Sequence, residues 1–266
     1  MRLSRRAALT GAAAFALFGA AIVPGVAMAS DGHSKPSQQA EQPKPTVVLV
    51  HGAWADSSSW DAVMTRLRAD GYPVRAISDP LQGLTSDSAY VSSYLSTITG
   101  PVVLVGHSYG GAVITNAAAS DPQVKSLVYI AGFIPVKGES VGDLAARSPQ
   151  LPLIYTAVPG GTEASIDPAH FRETFAGDVD ADTAANMAAA QRPANIKAIT
   201  DPSADEAFRT IPSWDLITRD DHAIAPDAQR FMAARANAHV TEVNASHAVM
   251  VSRPDAVTKI IEQAAR

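Results

Sequence analysis

Gly106-His107-Ser108-Tyr109-Gly110 closes the aliphatic run Val102–Val105 and opens a small-residue stretch that continues through Val113. A serine flanked two residues away on each side by glycine sits on a turn too tight for side chains at the turn's ends. Such a turn holds the serine hydroxyl at the carboxyl end of the preceding strand, and the N–H of the next residue opens the following helix. Ser108 is therefore a candidate nucleophile. A serine hydroxyl at neutral pH needs a neighbouring base to take its proton, so the seven histidines are the next residues to weigh.

His247 lies in Val243-Asn244-Ala245-Ser246-His247-Ala248, between a strand-like run and the last helix-like run. That position belongs to the same sheet edge as Ser108, and a loop histidine there can reach the serine. The others fit less well. His107 precedes the serine inside the turn and should point into the fold, whereas His51 should brace its own loop. His33, His170, His222 and His239 fall in polar or surface-like segments. The base requires a carboxylate that sets its tautomer and stabilises the imidazolium. In the chain order Ser, Asp, His, that carboxylate should follow the run Ser213–Thr218, where Asp220 and Asp221 are adjacent and must face opposite ways. Asp221 is preferred, three residues before Ile224 as a loop anchor; Asp220 is the alternative. Two N–H donors for an oxyanion, each worth roughly 3 kcal/mol by analogy with side-chain donors, are expected from Tyr109 and, through Gly52, from Ala53.

The elements that must position these groups are legible in the apolar pattern. Thr46–Val50 has the length and continuous hydrophobicity of a strand buried on both faces. A helix stripe at Trp60, Val63, Met64 and Leu67 follows, then a strand over Tyr72–Ile77. A helix over Ser86–Thr97 should bury Tyr90, Tyr94 and Ile98; the strand, turn and helix around Ser108 come next, then a strand over Val124–Ile130. This alternation requires a parallel sheet with helices on both faces. It stops between 136 and 211, where helix-like pieces (Pro168–Phe175, Asp180–Gln191) occur without a strong strand, so this segment reads as a helical cap over the sheet's carboxyl edge. The core pattern resumes with strand Ser213–Thr218, helix Pro226–Arg235, strand His239–Val243 and a helix from Pro254 that buries Val257, Ile260, Ile261 and Ala264.

Composition narrows the setting. The chain has 266 residues, 47% of them hydrophobic, and a formal charge of −5, with no basic block beyond the N-terminus to suggest nucleic acid. Residues 1–29 combine Ser4-Arg5-Arg6, an alanine-rich apolar run and Ala27-Met28-Ala29, the layout of an export signal with a twin-arginine character. Removing its three arginines from 21 basic residues leaves 18 against 26 acidic ones, a mature charge of −8. Residues 30–45 are polar and proline-punctuated and read as a disordered tether, leaving 46–266 as one domain. The expected location is therefore periplasmic or extracellular in a bacterium, with the export machinery as a partner and no stable membrane association after cleavage. Without cysteine the chain can form neither disulfides nor thiolate sites, and no cofactor or metal is expected.

Taken together, HGAWADSSSW (51–60), GHSYGG (106–111), DHAIAP (221–226) and SHAVMVSRP (246–254) resemble the α/β-hydrolase superfamily, within it the small-esterase and hydroxynitrile-lyase group. The resemblance spans nearly all of 46–266. It implies an α/β-hydrolase fold with a Ser108–His247–Asp221 triad that cleaves a small carboxylic ester through an acyl-enzyme. Hydroxynitrile lyases of the group carry threonine after the first-loop histidine and lysine after the catalytic one, where this chain has Gly52 and Ala248. That departure favours the esterase reading over a lyase or perhydrolase use of the triad, or a non-catalytic small-molecule-binding member. Trp54, Phe133, Leu153, Tyr155, Phe171 and Phe175 are candidates to line an apolar substrate pocket.

Overall fold

The computed structural model describes residues 43–266. The expected export signal (1–29) and all of the tether but Pro43–Pro45 lie outside the described residues. The chain runs β1 (Thr46–Val50), α1 (Asp61–Ala69), β2 (Val74–Ile77), α2 (Leu84–Leu95), β3 (Val102–His107), α3 (Tyr109–Ala117) and β4 (Val124–Ile130). The segment that follows holds α4 (Val141–Ala145), β5 (Leu153–Val158), β6 (Gly161–Ile166), α5 (Phe171–Phe175), α6 (Ala181–Ala189), β7 (Ala194–Asn195) and α7 (Lys197–Thr200). The core then closes with β8 (Ser213–Thr218), α8 (Pro226–Arg235), β9 (His239–Val243), α9 (Val249–Ser252) and α10 (Pro254–Ala264).

Six strands form one sheet in the order β2-β1-β3-β4-β8-β9, and every pairing in it is parallel. A parallel sheet has helices on both faces, so its central strands have no polar side. The first strand shows this directly. Val47 and Leu49 pack with Trp60, Leu67 and the apolar stripe Val257, Ile260 and Ile261 of α10, whereas Val48 and Val50 pack on the opposite face with α2 and α3. Strand order reverses between β1 and β3, and an open sheet leaves a crevice beyond the carboxyl ends at such a point. His51-Gly52-Ala53 leaves the end of β1 there, and Ser108 leaves the end of β3.

Two expectations need correction. The cap is not purely helical: β5 and β6 form an antiparallel hairpin, to which β7 adds a third strand. The hairpin is half-exposed, so its strands lack the long apolar runs of the core. Helix α2 starts two residues earlier than expected and buries Leu84, Asp87, Ser88, Val91 and Leu95, leaving Tyr90 on the surface at 47% exposure. The inward-facing Asp87 shifts the stripe, since its carboxylate accepts from the N–H groups of Gln82 and Gly83 just before the helix.

The cap is tied to the body at several points. Asn195 N–H donates to Leu81 O and Ala248 N–H to Phe175 O, both at 2.9 Å. Arg192 donates to Asp79 O at 2.9 Å.

Candidate active site

Ser108 occupies a strained corner, with φ 53° and ψ −122°. Such backbone costs on the order of 1–3 kcal/mol and persists only where its surroundings hold it. Here its N–H donates to Ile130 O at 3.2 Å, while its carbonyl accepts from Gly111 N–H at 2.9 Å and Phe133 N–H at 3.0 Å. The flanking glycines are a steric necessity. A Cβ on Gly106 would stand 2.4 Å from Gly110 O, and one on Gly110 would stand 2.6 Å from Val50 O. The Ser108 side chain is thereby directed into the crevice, where it lines a cavity of about 440 Å³.

His247 lines the same cavity. Its Nδ1 lies 2.8 Å from Asp221 Oδ2, and both side chains are fully buried. A carboxylate oxygen only accepts, so this contact makes Nδ1 the protonated nitrogen. Nε2, on the far side of the ring, has no protein partner among the described residues. Phe175 packs edge-on against the imidazole at 4.7 Å between centroids.

The carboxylate is saturated with donors. Asp221 Oδ1 accepts from Ala223 and Ile224 N–H, both at 2.8 Å. Oδ2 accepts from Thr218 Oγ1 at 2.7 Å and Gln229 Nε2 at 3.0 Å besides His247. The expected loop anchor is thus a bond to the main chain of Ile224, and the geometry selects Asp221; Asp220 is exposed. Thr218 and Gln229 were not foreseen. A buried glutamine on the inner face of α8 gives no periodic signal of its own.

Ala53 and Tyr109 both line the cavity. Neither main-chain N–H donates to an acceptor among the described residues. Two free N–H groups beside a serine hydroxyl are suited to receive negative charge on a carbonyl oxygen. The Tyr109 ring points away, its hydroxyl donating to Asp87 Oδ2 at 2.8 Å. Burial, with Asp87 and Asp79 close by, pushes the phenol far above its ordinary range, so it stays protonated.

The remaining histidines fall as expected. His107 is buried and donates from Nε2 to the carbonyl of His247 at 3.0 Å; burial pushes its pKa well down. His51 Nδ1 donates to Gly52 O at 2.9 Å, and its Nε2 accepts from Asp79 N–H at 3.0 Å. Burial lowers the His51 pKa to about 4, so it is a neutral brace for the loop that carries Ala53. His170, His222 and His239 are exposed, and His33 lies outside the described residues.

Trp54, Phe133, Leu153 and Tyr155 line the cavity. Phe171 and Phe175 do not; they stack on each other at 5.1 Å in the cap interior, where Phe175 supports the His247 ring instead. The rest of the wall comes largely from small and aliphatic cap residues such as Gly142, Ala145, Leu151 and Ile199, and among the described residues it contains no Asp, Glu, Lys or Arg.

A strained serine turn at the switch point of a parallel sheet, sharing a cavity with an Asp-held histidine from the last loop, defines a class. The model of the alpha/beta hydrolase family matches residues 47–260, and this chain belongs to that family. Its similarity to individual proteins is more distant. It is 34% identical over 114 residues to the carbendazim hydrolyzing esterase of Nocardioides sp. (strain SG-4G), covering 38% of this chain and 47% of that protein, less than half its length. It is 27% identical over 247 residues to an alpha/beta hydrolase of Aspergillus novofumigatus (strain IBT 16806), covering 84% and 97% of the two chains. Among solved structures, polyneuridine aldehyde esterase superposes with a TM-score of 0.70 at 18% identity, over 83% of this chain and 98% of that one. A pyrethroid hydrolase from Sphingobium faniae JZ-2 gives 0.68 at 23% identity, over 82% and 96%. These superpositions show the shared fold.

Proposed function

We propose that this chain is a serine carboxylic ester hydrolase whose substrate is a small, uncharged, mostly apolar ester. The observation that carries the reading is the pairing of Ser108 and His247 on one cavity, with the imidazole held by Asp221 and two unengaged N–H groups alongside. The esterase and hydrolase names of several relatives support it.

In this mechanism His247 Nε2 takes the Ser108 proton as Oγ bonds to the ester carbonyl carbon. The resulting oxyanion accepts from the N–H groups of Ala53 and Tyr109. The intermediate collapses by breaking the bond to the alcohol oxygen, which leaves with the proton from His247. Water then attacks the acyl carbon and gives its proton to the same nitrogen. Breakdown of that second intermediate returns the proton to Ser108 and releases the carboxylic acid. Asp221 stabilises the imidazolium in both halves.

The wall without ionised side chains argues for a neutral substrate, since an unpaired charge in an apolar cavity is costly. Position 248, directly after the base, is a buried alanine. It supplies no cation for a departing cyanide, so hydrolysis fits the site better than cyanohydrin cleavage. Labelling by a fluorophosphonate that is lost in Ser108→Ala, with release of p-nitrophenol from a short acyl ester and no cyanide from mandelonitrile, is the expected result. Cyanide release without ester turnover would overturn the assignment.

We also infer that residues 1–29 direct export, on the strength of their charged start, apolar middle and Ala-Met-Ala end. Expression in a bacterial host should yield a secreted or periplasmic protein whose N-terminus reads from Ser30. Retention of the intact leader in the cytoplasm would refute this.

A further inference from the structure

Trp54 lies at the boundary of two pockets. Its indole lines the cavity that holds Ser108 and His247, and it also lines a second pocket of about 310 Å³. That outer pocket is formed by the loop from Ala55 to Ser59, by Asn186, Met187 and Ala190 of the cap, and by Val251. Among the described residues, Trp54 is the one common to both walls.

The ring is held in place from both ends. Its backbone has φ 63°, an uncommon conformation for a bulky residue, so the side chain leaves the loop in a fixed direction. The indole N–H donates to Ala164 O at 2.9 Å, and Ala164 is a fully buried residue of β6 paired with Ala194 of β7. The wall therefore belongs half to the first loop and half to the cap. Only 8% of Trp54 is exposed, so the residue is packed into the wall between the pockets rather than turned to solvent.

We infer that Trp54 is a specificity-determining partition: it closes one end of the cavity and sets how long an arm of the ester the site accepts. This rests on the hydrolase reading above and goes beyond it by naming the residue that limits substrate size. Removing the indole joins the two pockets into one channel that a longer acyl or alcohol chain can thread. Asn186 and Ala190 are exposed on the outer side, so the far end of that channel is open to solvent.

The test compares wild type with Trp54→Ala on p-nitrophenyl esters of graded acyl length, and on acetates of graded alcohols. Trp54→Gly is a second variant, since glycine adopts the left-handed backbone without strain and guards against misfolding of the alanine form. Trp54→Phe keeps a wall without the indole bond. The expected result is a shift of at least tenfold in kcat/KM toward the longer members of one series for the alanine and glycine variants. The phenylalanine variant should keep the wild-type length preference. Adding Ala190→Phe to Trp54→Gly, which refills the outer pocket, should move the preference back toward short chains.

Thermal stabilisation by neutral, unhydrolysable methyl ketones of graded length reads the same partition without turnover. A shift with ketones alone, with no ester cleaved by wild type, would leave the partition standing and remove the hydrolase reading. Ester turnover that falls equally at every length, or an unchanged preference in both variants, would overturn the partition and leave the hydrolase reading intact.

Discussion

His107 donates from Nε2 to the main-chain carbonyl of His247 at 3.0 Å, so the residue just before the serine fixes the backbone of the histidine that shares its cavity. The two rings lie 4.7 Å apart, yet His107 does not line the cavity. Its predicted role is positioning. His107→Ala should lower kcat roughly 10- to 100-fold, the scale expected when a reacting group moves by about 1 Å, with KM little changed. His107→Asn, whose amide can donate to the same carbonyl, should recover part of the loss. Steady-state kinetics of the two variants separate this from general destabilisation, which would lower both alike.

Asp221→Asn should lower kcat by about 10⁴-fold, because an amide in place of the carboxylate no longer holds the imidazole tautomer or stabilises its cation. It also sets an NH₂ group against some of the donors that now point at the carboxylate. Circular dichroism should show an intact fold. Asp220→Asn, on the exposed neighbour, should stay within about twofold of wild type. The reverse pattern would assign the acid to Asp220.

Asp215 sits in the middle of β8 with both carboxylate oxygens buried and without a partner among the described residues, and burial pushes its pKa well up. The folded state therefore keeps a proton that the unfolded chain releases near the ordinary carboxylate pKa. Linkage makes this stabilising only at low pH, with stability falling as pH rises above the unfolded value toward the folded one. Asp215→Val removes the titration and suits a buried strand. It should raise urea stability at about pH 8 by on the order of 1–3 kcal/mol, with a smaller gain near pH 4. Equal gains at both pH values would contradict this account.

His51 has the opposite sign. Its folded pKa is lowered to about 4, below the unfolded value near 6.5. The stability it contributes is complete above the unfolded value and is lost as pH falls through that window. Protonation would remove the acceptor for Asp79 N–H and set a cation against Arg192, whose guanidinium lies 3.2 Å from Nε2. Urea midpoints measured between about pH 7 and 4.5 should fall for wild type, and His51→Gln should flatten part of that fall. His107, lowered in the same direction by burial, should carry some of the remainder.

The parts of the molecule readable from residue types are those where local geometry admits few solutions. Gly106 and Gly110 are forced by backbone atoms less than 3 Å from where a Cβ would stand, so the serine turn declares itself in five residues. The central strands β1 and β3 declare themselves because burial on both faces leaves an unbroken aliphatic run. Strands β4, β8 and β9 occupy the spans that the pattern implies.

The cap is different. Leu153–Val158 and Gly161–Ile166 flank Pro159-Gly160, a turn signal that marks the hairpin in retrospect. Ile154 and Tyr155, neighbours on opposite faces of β5, are exposed at 45% and 58%, so no buried face sets an alternation. Asp87 hid the true stripe of α2, because a carboxylate at a core position makes sense only once Tyr109 is known to reach it. Gln229 escaped notice for the same reason: its partners Thr218 and Asp221 are set by tertiary packing.

The ties between cap and body bear on how a substrate arrives. Main-chain bonds from Asn195 to Leu81 and from Ala248 to Phe175, with the Arg192 bridge to Asp79, fasten the inserted segment along its length. Residues 175–195 would have to break these bonds before the segment could swing open as a lid. Tyr155, at 58% the most exposed aromatic of the cavity wall, can turn without breaking any of them. Rotation of such an exposed ring is far faster than the opening of a hydrogen-bonded segment.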